Sequence, residues 1–248
     1  MKHSLFVILI TIISFNTQGQ NISVTYSRVN NIEKQLDIME KQYKHLKSDI
    51  RNEMAEMMNE DMTFVLQHSE GYSKFKMLEN EDIVSRKELN VGGNSIVVIF
   101  QKSKLDPHIY KSIRDNLSWN QTDLFGKGFI ILDSISFEWE FHTDRKQIGD
   151  YDCNKATVIH NGLAIEAWYS EDIPIFDGPD IYSGLPGLIL ELKSPKFNFS
   201  ALDITVSDEE FDLVKPSGYP EMNRAEFEKE YQKRMKSLYP PGSNITKY

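Results

Sequence analysis

The stretch Lys155-Ala156-Thr157-Val158-Ile159-His160-Asn161-Gly162-Leu163-Ala164-Ile165-Glu166-Ala167-Trp168 decides the fold. Asn-Gly is the strongest two-residue hairpin signal, because a type I′ turn needs positive φ at both central positions and these two residue types tolerate it. With Asn161-Gly162 at the tip, His160 opposes Leu163, Val158 opposes Ile165 and Ala156 opposes Ala167. Such apolar pairs define a core face. The other face pairs Thr157 with Glu166 and Lys155 with Trp168, and strand parity adds Cys153 and Tyr151 to it. Tyr151, Lys155, Glu166 and Trp168 thus form a mixed aromatic and charged surface, the composition of a ligand- or partner-binding face. The alternative is a solvated outer face on which Lys155 stacks over Trp168.

Working outward, the same period-2 signal recurs. Ile22, Val24 and Tyr26 alternate with polar neighbours in a first strand. Thr63–Leu66, Tyr72–Leu78, Ile96–Phe100 and Phe129–Leu132 are further strand candidates, and Phe137, Trp139 and Phe141 alternate with Glu138, Glu140 and His142. Leu188–Leu192 and Phe197–Val206 follow. Leu185-Pro186-Gly187-Leu188 fits a type II turn, with Pro fixing φ at its second position and Gly supplying positive φ at its third. Between the first strand and Met62, the apolar residues Ile32, Leu36, Met39, Tyr43, Leu46, Ile50, Met54 and Met57 are spaced by three or four. That stripe predicts an amphipathic helix from about Asn31 to Met58, packed on the core, or less simply a short partner-binding coiled coil. A second helix is predicted over Glu221–Leu238, where Phe227, Tyr231 and Met235 recur every four residues. One long helix near the front and many strands behind it predict an α+β fold carrying an antiparallel sheet.

Composition bounds the task. The chain has 248 residues, 40% of them hydrophobic, with 28 Lys+Arg against 37 Asp+Glu for a net charge of −9. That balance excludes a general polyanion binder, since phosphate contacts need a cationic surface, so no nucleic-acid partner is expected. Residues 1–19 read as a secretory signal peptide: Lys2 and His3, then the apolar run Leu5–Ile13, then Thr17-Gln18-Gly19 at the cleavage point. The run is too short to span a bilayer, which takes about 20 residues. Residues 20–248 then form a single domain with a helical tail from about residue 220. Its one thiol, Cys153, allows no disulfide within the chain, so stability must come from the core.

The segment Gly184-Leu185-Pro186-Gly187-Leu188-Ile189-Leu190 resembles the signature of the GLPGLI family of exported Bacteroidetes proteins. The likeness also takes in Trp139, Ile148-Gly149, Tyr151, Cys153, Lys155-Ala156, Ala167-Trp168-Tyr169, Ile173-Pro174-Ile175 and Gly178-Pro179. It covers roughly Phe137 to Ile204. The resemblance implies a curved, half-barrel-like antiparallel sheet and a place in the periplasm or at the outer membrane. It also implies an accessory role beside a TonB-dependent outer-membrane transporter or another envelope protein. It implies no assigned reaction.

Catalytic motifs are sparse. The chain has no G-x-S-x-G, H-E-x-x-H or phosphate-binding glycine loop. Cys153 lies beside Asp150 and Asp152, which oppose thiolate formation, so packing explains it better than nucleophilic chemistry with His142 or His160. His142, Asp144 and His160 carry metal-binding side chains, and Met54, Met57, Met58 and Met62 carry thioethers that could ligate Cu(I). No spacing forces either group together, and no metal or cofactor is expected. Asp133-Ser134-Ile135 fits a short O-glycosylation pattern that a buried strand would block. Two readings follow. The first is a non-catalytic envelope binding or accessory protein using Tyr151, Lys155, Glu166 and Trp168. The second is an unrecognised envelope hydrolase, or peptidase-associated enzyme, whose acid and base meet only in the fold.

Overall fold

The computed structural model describes residues 21–33, 37, 62–78, 84–91, 94–101, 107–124 and 126–238. Its elements run β1 (Asn21–Asn30), β2 (Met62–Ser69), β3 (Tyr72–Met77), β4 (Val84–Val91), β5 (Asn94–Gln101), β6 (His108–Ser112) and β7 (Leu117–Leu124). They continue with β8 (Lys127–Ser134), β9 (Glu140–Ile148), β10 (Tyr151–His160), β11 (Leu163–Ser170), β12 (Leu188–Lys193), β13 (Phe197–Ser207), β14 (Glu221–Asn223) and α1 (Arg224–Leu238). Twelve strands form one sheet in the order β14-β8-β7-β6-β3-β2-β1-β13-β12-β11-β10-β9, and β4 pairs with β5 apart from it. The sheet is mixed, because β14 runs parallel to β8.

This corrects the expected α+β class. The described residues are dominated by β-structure, and α1 is the one long helical element among them. No long N-terminal helix appears among them: of the predicted helix, Ile32, Glu33 and Asp37 are helical, and the rest lies outside the described residues.

The central hairpin has the register that its turn dictates. Asn161 and Gly162 take φ of 49° and 75°. Lys155 faces Trp168, Ala156 faces Ala167, Thr157 faces Glu166, Val158 faces Ile165 and His160 faces Leu163. Ala156, Ile165 and Ala167 are buried, with Val158 packed against them. Two neighbouring expectations fail. The strand predicted to begin at Phe137 begins at Glu140. Phe137 and Trp139 leave the sheet line and pack on Tyr182, with ring centroids 5.3 and 6.4 Å away, while Phe141 is 59% exposed. The predicted tail helix starts at Arg224, because Glu221–Asn223 is captured as a strand on β8. Asn223 and Glu226 exchange side-chain-to-backbone hydrogen bonds at 2.9 Å, a capping box that sets the helix start. Phe227 of α1 then meets Phe129 of β8 edge to face at 5.9 Å.

Residues 171–187, between β11 and β12, are an irregular strap laid over one face of the sheet. The amides of Gly184, Leu188 and Ile189 donate to the carbonyls of Phe176, Ile173 and Asp177 at 2.9–3.0 Å. These bonds fold the strap on itself and onto β12. Under it lies the main core: Ile22, Val24 and Tyr26 of β1, Leu66 of β2, Phe75 of β3, Phe199 of β13, and Leu185, Leu188 and Leu192. Tyr26, Phe64, Phe75 and Phe199 meet with centroids 5.1–6.4 Å apart, within the range of favourable aromatic pairs. The Tyr26 hydroxyl donates to Ile189 O at 2.6 Å, so a core aromatic also holds the strap's exit strand.

The strap corrects the reading of its own glycines. Positive φ falls on Gly184, at 87°, and Gly187 is not among the positive-φ residues, so the expected type II turn is absent. Gly187 is glycine for space: a Cβ there would stand 2.0 Å from Ser170 O, a backbone atom that cannot turn aside. We expect Gly187→Ala to cost ~3 kcal/mol or more, as severe overpacking does. Gly162→Ala, where a Cβ meets nothing within 4 Å, should cost only the ~1 kcal/mol of backbone strain. Urea unfolding of the two variants checks that ranking, and equal losses would refute this account of the strap.

Candidate functional site

The sheet face away from the strap carries the residues singled out from the hairpin. Trp168 of β11 sits between Lys155 of β10 and Glu191 of β12 in the ladder. Its indole N–H donates to Glu166 Oε1 at 2.9 Å. Lys155 Nζ lies 3.1 Å from Glu166, Lys193 Nζ lies 2.6 Å from Glu191 and 3.8 Å from Glu166, and Lys146 Nζ lies 2.5 Å from Glu191. The Lys146 and Lys155 ammonium groups stand 4.4 and 5.8 Å from the Trp168 ring centroid. Burial alone would raise the Glu166 carboxyl, but the bonds from Trp168 and Lys155 and the charges of Lys155 and Lys193 outweigh it. The carboxyl is held below its ordinary range, and Glu191 is lowered by Lys146 and Lys193 in the same way.

The face therefore differs from its expected form in one respect. Lys155 and Glu166 are partly exposed, but Trp168 is only 8% exposed, roofed by lysines. A flat indole between two cationic side chains is favourable, and their stems shed the water that would otherwise wet the ring. The structure brings Lys155, Glu166 and Trp168 together. Tyr151 stands apart at the start of β10, opposite Ile148. Lys146, Glu191 and Lys193 complete the network and were missed, because nothing local in the sequence registers β9 and β12 against the hairpin.

The other candidates separate. Cys153 is 1% exposed and donates weakly to Tyr151 O at 3.6 Å. Burial pushes its thiol up to about 11, so it is not an activated nucleophile. His142 bonds the Thr157 hydroxyl at 2.7 Å, while the His160 ring packs on Phe137 at 5.4 Å. Among the described residues, no three His, Cys, Asp or Glu side chains are grouped to hold a metal ion. Of the methionine group, Met62 opens β2 and the others lie outside the described residues. Ser134 is exposed at the end of β8, beside Asp133, which is ion-paired to Arg224.

Under the strap lies a cluster that sequence reading did not find. His68, Ser73, Lys111 and Ser118 are successive cross-strand partners on β2, β3, β6 and β7, so all four project from one face. Asp177 descends from the strap between them. Its carboxylate lies 2.9 Å from His68 Nδ1 and 2.5 Å from Lys111 Nζ, and Lys111 also donates to Gly178 O at 2.6 Å. Asp177 and Lys111 are 0% exposed and His68 is 6% exposed. Burial opposes the Asp177 charge, but Lys111 and the His68 hydrogen bond outweigh it and hold the carboxyl well below its ordinary range. A carboxylate orienting an imidazole through Nδ1 is an arrangement found in acyl-transfer sites. Here both groups are enclosed by the protein, so the geometry serves to pin the strap to the sheet.

Comparison with known proteins adds fold and a partial family match. Residues 159–191, from the hairpin tip through the strap to β12, match a family described as "Protein of unknown function (Porph_ging)". Among curated proteins none matches. Two solved structures of PNGF-II, in C2 and P21 space groups, are similar with TM-scores of 0.53 and 0.51 at 12% and 13% identity. The likeness covers 86% of this chain but only 33% and 34% of theirs, so the chain spans about a third of their length. At such identity the likeness is one of fold. Among the described residues, no helix is long and apolar enough to cross a membrane.

Removing one partner of the buried pair should cost ~3–5 kcal/mol, because the other charge is left uncompensated in the interior. Asp177→Asn and Lys111→Met each test this by urea unfolding at pH 7. The double variant Asp177→Leu with Lys111→Met should lose less than either single change. The sign with pH follows from the lowered Asp177 carboxyl: its contribution is complete above the ordinary carboxylate value near ~4 and is lost as pH falls through the lower folded value. The gap between wild type and Asp177→Asn should therefore narrow only in strong acid. A gap that already closes between pH 7 and pH 5 would disprove this assignment.

Proposed function

We propose that this chain is an exported protein of the GLPGLI type, a non-catalytic accessory or binding protein of the cell envelope. It engages an outer-membrane transporter or another envelope protein through the face of β9 to β12. The observation that carries this reading is the Lys146–Glu191–Lys193–Glu166–Lys155 network over Trp168, a preset row of partly exposed charges on an aromatic base. Such a row is more than a folding device needs. Partly exposed ion pairs each contribute only ~0–1 kcal/mol to stability, whereas charged and aromatic groups held in fixed geometry are what set partner choice at an interface. Export rests on the leader-like residues 1–19, which lie outside the described residues. The charge cluster under the strap supports the non-catalytic side of the reading, since Asp177 and Lys111 are closed to any substrate.

Crosslinking in intact cells, followed by affinity capture of the mature protein, tests this. We expect it to recover a defined envelope partner from the periplasmic or outer-membrane fraction. The double reversal Lys155→Glu with Lys193→Glu should lose that partner at least tenfold while the protein stays folded at the assay temperature, its unfolding midpoint lowered by the new repulsion from Glu166 and Glu191. Equal recovery by the reversed variant would sink the proposed face, and recovery of the protein from the cytoplasm would sink the proposed compartment.

A further inference from the structure

Asp133-Ser134-Ile135, the short O-glycosylation pattern, has no part in either cluster described above. Among the aspartates of the chain, Asp133 alone is followed by a serine or threonine. Read from the sequence, a buried strand here would block modification of the hydroxyl. The fold removes that block. β8 buries Phe129, Ile130 and Ile131 and then surfaces, so that Ser134, its last residue, is exposed. Among the described residues its hydroxyl has one long contact, accepting the Ser136 amide at 3.4 Å.

Both flanks of the serine are anchored. Asp133 is ion-paired to Arg224 at the start of α1. Ile135 is 1% exposed, and its amide donates to Asn116 O at 2.9 Å. On one side Ser134 pairs with Leu117 of β7. On the other, β14 ends at Asn223, opposite Leu132, so no described strand borders Ser134 there. The hydroxyl thus stands on an extended backbone with an open edge, the form in which an enzyme can take up a chain segment by strand addition. The chain around it is described throughout: residue 125 precedes the far end of β8 and residue 239 follows the far end of α1, each roughly 20 Å along its element.

We propose that Ser134 is an O-glycosylation site, modified once the chain has reached the envelope. The Ser134 oxygen attacks the anomeric carbon of a phosphate-activated sugar bound to a separate transferase. A new carbon–oxygen bond forms as the bond from that carbon to the phosphate oxygen breaks. The phosphate leaves with the bonding pair, and the hydroxyl proton passes to a base of the transferase. A sugar adds bulk without charge beside Asp133, where a phosphate would set two anionic groups side by side. It is also hydrophilic, and it covers the part of the β8 edge that β14 leaves open. The proposal rests on the exported compartment proposed above and not on the face of β9 to β12.

Intact-mass measurement of the full mature chain from fractionated cells of its own host tests the site, with peptide fragmentation that preserves sugar bonds. The envelope fraction should hold a chain heavier than its polypeptide by whole sugar residues, all placed on Ser134. Ser134→Ala should lose the added mass and Ser134→Thr should keep it. Ser136→Ala, at the exposed serine two residues on, should also keep it. Asp133→Asn should lose it, whereas Arg224→Gln, which breaks the same ion pair but leaves the carboxylate, should keep it. Unfolding midpoints report whether each variant is folded. An envelope chain bare at Ser134, sugar at other residues only, a phosphate on Ser134, or sugar retained by a folded Asp133→Asn variant would each overturn the proposal and leave the export reading standing. A bare chain found in the cytoplasm would overturn both.

Discussion

A single buried carboxylate organises this molecule. Asp177 brings a strap without regular secondary structure into contact with two strands of the sheet, through His68 and Lys111. Sinking a carboxylate and an ammonium group into the interior is expensive, and their attraction offsets that cost only when geometry is good and the remaining hydrogen-bonding sites are filled. Both conditions hold here. Lys111 has a second acceptor in Gly178 O, and the Gly178 amide donates to Asp177 Oδ1 at 2.8 Å. The strap is therefore held in one position and not merely adsorbed on an apolar surface.

Several other features follow from that placement. Gly178 must be glycine because a Cβ there would meet Ile189 at 2.7 Å, and Gly187 must be glycine because Ser170 lies against it. Leu185 and Leu188 are carried to full burial between them. Trp139 completes the outer rim by donating to Ser183 O at 2.9 Å. The sheet can then be charged on its far face, because the apolar demand of β10 to β12 is met on the strap side. Glu166 and Glu191 occupy positions whose two neighbours along the strand, Ile165 and Ala167 or Leu190 and Leu192, are core residues, the alternation expected of a half-buried strand.

The legible parts of the fold were those whose cause is local. Asn161-Gly162 fixes a hairpin because its two residues adopt positive φ, and every cross-strand pair counted outward from that turn follows from chain geometry. Lys155, Glu166 and Trp168 were placed on one face by the same counting. Legibility ended where partners come from remote segments. Lys146 and Glu191 are 45 residues apart and meet over Trp168, which is why the indole is covered when the hairpin alone leaves it open. The His68–Asp177 contact spans 109 residues, and neither residue has a local signal that sets it apart from an ordinary surface histidine or turn aspartate. Gly187 was misread for a related reason: the sequence reports that a glycine is present but not whether conformation or space requires it.

From the sequence alone came the exported character proposed for the chain, the strand-rich middle and the inward set Ala156, Val158, Ile165 and Ala167. These rest on composition, periodicity and turn chemistry, which act over a few residues. Tertiary structure alone decided the twelve-stranded order, the strap and its buried ion pair, and the lysine roof on Trp168. Each of these depends on which distant strands become neighbours, and that choice is set by the summed burial of many side chains and is written in no short segment.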